Sequence, residues 1–119
     1  MVLSEQVRMT ENIRLRQEEV FAAIRAGEPC KYLYCITLPS NPCNLLDIHP
    51  YRELHKRKVY DEPYIILGLA ENRREAVGII YDMVSEVAAS LSRLEDFKET
   101  FLAYRDSLVP LEQGERDRR

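Results

Sequence analysis

A chain of 119 residues with 45% hydrophobic side chains has the length of one domain and enough apolar residues to build a core. Seventeen basic against twenty acidic residues give a formal net charge of −3. That excludes a net field drawing the whole protein to nucleic acid or an anionic membrane, and leaves only local patches for such binding. No apolar run approaches the roughly 20 residues that span a bilayer, and Met1-Val2-Leu3-Ser4-Glu5-Gln6 lacks the basic and apolar regions of a signal peptide. Three cysteines, Cys30, Cys35 and Cys43, cannot all pair within one chain. Reduced thiols and a cytoplasmic location are therefore expected.

Residues 5–26 read as a helix, with Val7, Ile13, Val20, Phe21 and Ile24 on one side and Arg14, Arg16, Glu18, Glu19 and Arg25 around the other. Ala26-Gly27-Glu28-Pro29 stops it, because Gly tolerates the left-handed conformation that closes a helix and Pro29 cannot continue one. Lys31 to Leu38 follows as a strand, apolar on both faces, so it is buried from both sides or paired at an interface. Pro39-Ser40-Asn41-Pro42 ends it. Residues 43–62 are then a connection with a short helical piece near Pro50 to Leu54, since Pro is pre-set for a first helical turn.

A second strand begins near Pro63 and includes Tyr64-Ile65-Ile66-Leu67-Gly68-Leu69-Ala70. The long helix 72–91 follows. Its stripe of Ala76, Val77, Ile80, Met83, Val84, Val87, Ala88 and Leu91 recurs at three- and four-residue steps, opposite Arg74, Asp82, Ser85 and Glu86. Asn72 with Glu75 has the form of a capping box that sets the helix start. Ser92-Arg93-Leu94-Glu95 repeats that form before a shorter helix whose Leu94, Phe97, Phe101 and Tyr104 share a face. The polar tail 111–119 is expected to be disordered.

The reading is thus one small α/β (α+β) domain over residues 1–110, with a two- to four-stranded sheet packed on a long amphipathic helix and flanked by N- and C-terminal helices. Only two strands are evident, and two isolated strands are marginal in water unless a helix face or further strands cover them. A homodimer that completes or covers the sheet is expected, C2 symmetry being the commonest closed arrangement.

Chemistry-bearing residues are sparse. Cys30, Cys35, Cys43, His49 and His55 lie within 26 residues, but C-x₄-C and C-x₇-C spacings do not match the closely spaced pairs of structural zinc sites. Buried thiols and surface histidines are the better reading, with no metal and no cofactor. Cys43, in a turn, together with Asp47 and His49, is the candidate ligand-binding or nucleophilic group, because an imidazole lowers the pKa of a neighbouring thiol. Nothing in the sequence brings them within hydrogen-bond reach.

Arg52, Lys56, Arg57 and Lys58, with His55, form the concentrated basic stretch. Flanking Tyr51 and Tyr60 are candidates to stack on bases while the cations hold phosphates. The alternative is a solvated loop balanced by Glu53, Asp61 and Glu62, favoured by the acidic total. Gly68 precedes a helix as in phosphate loops but lacks further glycines, and Glu71 would repel an anion; close backbone packing explains it better. Arg73 and Arg74 oppose the helix dipole in the first turn and so suit a partner carboxylate or phosphate.

Taken together, Leu38-Pro39-Ser40-Asn41-Pro42, Asn44-Leu45-Leu46-Asp47-Ile48 and Tyr64-Ile65-Ile66-Leu67-Gly68-Leu69-Ala70 give residues 31–90 a resemblance to a group of small uncharacterised bacterial proteins. It implies an α/β fold and a bacterial cytoplasmic setting, and transfers no site residue. The function expected is a non-enzymatic interaction or accessory module acting as a homodimer. The alternatives are a nucleic-acid accessory protein using residues 51–60 and a small-ligand binder or enzyme using the 43–62 connection.

Overall fold

A computed structural model describes residues 2–41, 43–57 and 64–110. Four strands form one mixed sheet in the order β1-β4-β2-β3, where β1 is Val2–Met9, β2 Tyr34–Thr37, β3 Asp47–Pro50 and β4 Ile65–Ala70. The central β4 pairs parallel with β1 and antiparallel with β2, and β2 pairs antiparallel with β3. Helices α1 (Glu11–Leu15), α2 (Gln17–Ala26) and α3 (Tyr51–Arg57) contribute Ile13, Val20, Ile24, Tyr51 and Leu54 to one core, against Cys35, Ile66 and Leu69 of the sheet. On the other side α4 (Arg73–Ala89) and α5 (Phe97–Ser107) pack Ala76, Ile79, Met83, Val87 and Phe101 against Ile36, Leu67 and Ala70. The result is a three-layer α+β arrangement in which helices cover both sheet faces.

Two strands depart from the sequence reading. The expected helix over 5–26 begins only at Glu11, and residues 2–9 are the edge strand β1. Leu3, Val7 and Met9 pack against the first core, Val2 donates its N–H to the Tyr64 carbonyl at 2.7 Å, and the Arg8 guanidinium grips both Glu86 carboxylate oxygens at 2.6 and 2.8 Å. Pairing with β4 therefore outweighs the weak helical period of this segment. Within the 43–62 connection, Asp47–Pro50 is a further strand, β3, at the other edge of the sheet, and α3 follows directly after Pro50. Strand β2 lies inside the sheet with Cys35 and Ile36 fully buried on opposite faces, so the chain supplies its own cover. The argument for a dimer that completes the sheet is removed.

Other signals hold locally. Gly27 takes φ 68° after α2, and the N–H groups of Gly27 and Glu28 return to the carbonyls of Ile24 and Ala23, a Schellman closure. The Asn72 side chain accepts the Glu75 N–H at 2.9 Å as the cap of α4, while the Glu75 carboxylate accepts the N–H of Glu71 at 3.4 Å rather than that of Asn72. Ser92 caps no helix. A short 3-10 turn, Leu94–Asp96, precedes α5, and Leu94 is 78% exposed instead of sharing the Phe97–Phe101–Tyr104 face.

The buried stripe of α4 is Ala76, Ile79, Met83 and Val87, which includes Ile79 and leaves Val77 51% exposed. Relative to the expected stripe the helix is rotated by about 60°, at 100° per residue. In β4 the alternation also shifts. Ile36 pairs with Gly68 and Thr37 with Ile66, so an extra residue in β4 sends Ile66 and Leu69 to one core and Leu67 and Ala70 to the other. Gly68 lies directly across from Ile36, and a Cβ there would stand 2.8 Å from Ile36 Cδ1. Close packing is indeed what Gly68 serves. The tail 111–119 and the expected strand start at Pro63 lie outside the described residues.

Candidate functional site

The connection that carries the sequence candidates is held by Asp47 at the start of β3. Its carboxylate accepts the Ser40 N–H at 3.0 Å, the Ser40 hydroxyl at 3.2 Å and the Asn44 amide at 3.4 Å. Burial pushes this carboxyl up, but those donors and the nearby His49 outweigh it and hold Asp47 below the usual carboxylate range. His49, two residues on along the same strand face, places Nε2 3.7 Å from Asp47 Oδ2 and its ring 5.9 Å from that of Tyr64. Cys43 is exposed on the loop, its N–H donating to Asn41 Oδ1 at 2.9 Å. The fold thus brings Asp47 and His49 together, with Asp47 engaged in closing the loop.

The three thiols occupy different environments. Burial lifts the Cys35 thiol to about 12, with Cys30 adding to the effect. Burial also raises Cys30, opposed by the neighbouring Arg16. A thiol reagent under native conditions is expected to modify Cys43 first, Cys30 more slowly, and Cys35 only on global unfolding. Time-resolved mass spectrometry of the labelled chain checks this, and equal rates at Cys35 and Cys43 would contradict the buried placement. Among the described residues no group of three His, Cys, Asp or Glu side chains converges to hold a metal ion.

The basic segment divides. Arg52 and Lys56 are exposed on α3, one helical turn apart. Arg57 closes the helix, while Lys58 and Tyr60 lie outside the described residues. Tyr51 is fully buried, its hydroxyl donating to the Glu28 carbonyl at 2.7 Å, so it presents no face for a base. His55 also turns inward, with Nε2 2.7 Å from the Gly27 carbonyl, to which it must donate. Both side chains secure the C-terminus of α2 instead of forming a nucleic-acid platform.

A different surface emerges on α4. Arg74, Val77, Gly78, Tyr81 and Ser85 fall within an arc of about 100° on the face turned from the sheet. Val77 and Tyr81 are 51% and 69% exposed, and a Cβ on Gly78 would meet nothing within 4 Å. Arg74 and Asp82 stand four residues to either side of Gly78, and among the described residues neither takes part in an ion pair. The sequence reading placed Val77 in the core and so missed this face. The signal that marks it is Gly78, a residue that costs a helix interior about 1 kcal/mol relative to Ala and has no packing reason among the described residues.

No described helix is long and apolar enough to cross a membrane. In comparisons with known proteins the chain matches no protein family, no curated protein and no solved structure.

Proposed function

We propose that the protein is a non-enzymatic interaction module that works as a homodimer, two copies packing antiparallel through the outer face of α4. The observation that carries this reading is the open Gly78 flanked by exposed Val77 and Tyr81, with Arg74 and Asp82 equally spaced around it. With the helices antiparallel about a two-fold axis at Gly78, a residue four positions before it comes level with the residue four positions after it in the second copy. Arg74 of each chain then meets Asp82 of the other, about 6 Å along the axis from the crossing. Gly78 lets the backbones approach, Val77 and Tyr81 supply apolar area, and the antiparallel helix dipoles oppose one another favourably. Arg74, unfavourable at its own helix N-terminus, gains an acceptor. A bacterial cytoplasmic setting is proposed with it, on the resemblance over residues 31–90 and on three free cysteines.

Sedimentation over a concentration series tests the reading by charge exchange. Wild type is expected to dimerise, Arg74→Asp or Asp82→Arg alone to weaken the dimer about tenfold or more by facing like charges, and the double exchange to restore it. A wild-type monomer at every concentration, or a double exchange as weak as the single ones, would reject it.

A further inference from the structure

On the opposite side of the molecule, a cleft of about 500 Å³ opens between residues 29–34 and the start of α3. Its walls carry Tyr32, Tyr34, Lys31, Pro50, Arg52 and His55, with no acidic side chain in its lining among the described residues. Its volume lies within the range of small-ligand sites. Tyr32 sits at its mouth, 73% exposed and with φ 56°, the one positive φ outside glycine among the described residues. A left-handed tyrosine is strained, and here the strain is imposed from both sides. Arg16 Nη2 donates to the Lys31 carbonyl at 3.1 Å, and the Tyr51 N–H donates to the Leu33 carbonyl at 2.9 Å. The backbone on each flank of Tyr32 is therefore anchored to α3 or to the start of α2, and the ring is left exposed at the cleft.

Across the cleft, Arg52 projects from α3 and Lys31 from the loop, and among the described residues neither forms an ion pair. An exposed aromatic face beside two cations without an ion-pair partner among the described residues suits a planar ring that carries a phosphate. The ring stacks on the tyrosine, while the guanidinium fork and the ammonium take the phosphate oxygens. We propose that this cleft binds a nucleoside monophosphate, with the base on Tyr32 and the phosphate between Arg52 and Lys31. His55 stays bound to the Gly27 carbonyl and shapes the floor. The site extends the expectation of a small-ligand binder in the 43–62 connection to residues outside it, and it does not depend on self-association through α4.

Titration of the full chain with AMP, followed by amide NMR, tests the proposal. Saturable shifts are expected in residues 30–34 and 51–55, with adenosine and inorganic phosphate each binding more weakly than AMP. Arg52→Gln and Tyr32→Asn are each expected to weaken AMP binding at least about fivefold. Because Asn tolerates the left-handed conformation, Tyr32→Asn is also expected to keep or raise the Tm, which separates a lost stacking face from a lost fold. Absence of shifts with AMP, shifts located elsewhere, phosphate binding as tightly as AMP, or unchanged affinity in Arg52→Gln would overturn it. A protein that stays monomeric yet binds AMP at these residues would remove the α4 reading alone.

Discussion

Tyr51→Ala is expected to lower stability by about 3–5 kcal/mol, the cost of deleting a large buried aromatic ring together with the cavity it leaves. Tyr51 is fully buried within the core formed by Val20, Ile24, Leu54 and Leu69. Its hydroxyl serves the end of α2, donating to Glu28 at 2.7 Å with the Ala23 carbonyl also near at 3.4 Å. Burial, with smaller contributions from Cys35, Cys30 and Glu28, pushes the phenol up to about 12, so it remains a donor throughout the neutral range. Tyr51→Phe keeps the ring and removes that donor, and is expected to cost only about 1–2 kcal/mol. Urea denaturation of the two variants separates ring from hydroxyl. An alanine variant as stable as wild type would show that Tyr51 is a surface side chain after all.

The second large effect is expected at Gly68. Gly68→Ala should lose about 1–3 kcal/mol through overpacking, since its Cβ would be driven to 2.8 Å from Ile36 Cδ1 and 3.4 Å from Ile36 Cβ inside a filled core. Ile36→Val removes the Cδ1 methyl and by itself costs about 0.5–1.5 kcal/mol. Because the two residues touch, the double variant should cost less than the sum. The same denaturation series measures the coupling. Strictly additive losses would mean that Gly68→Ala acts by another route, such as disturbing the extra residue in β4 that divides its side chains between the two cores.

The close packing at Gly68 was legible in the sequence, whereas the role of Tyr51 as a buried clamp on α2 was not. From sequence alone, local physics settled the elements whose signals are internal to a segment. The three- and four-residue apolar period with an Asn72 cap defines α4, Gly27 and Pro29 end α2, and the continuous apolar run around Cys35 and Ile36 marks a strand covered on both faces. Where the partner lies far along the chain, the same physics is silent. Residues 2–9 suit a helix or a strand until β4, more than fifty residues later, offers its edge, and Asp47–Pro50 is too short to declare itself before β2 pairs with it. Tertiary packing alone rotated α4 so that Ile79 went in and Val77 came out, turned Tyr51 inward to serve α2, and forced Tyr32 into a left-handed conformation. Periodicity specifies that a face will be buried; which of two nearly equivalent faces wins depends on the shape and hydrogen-bonding needs of the surface it meets, and those exist only once the chain has folded.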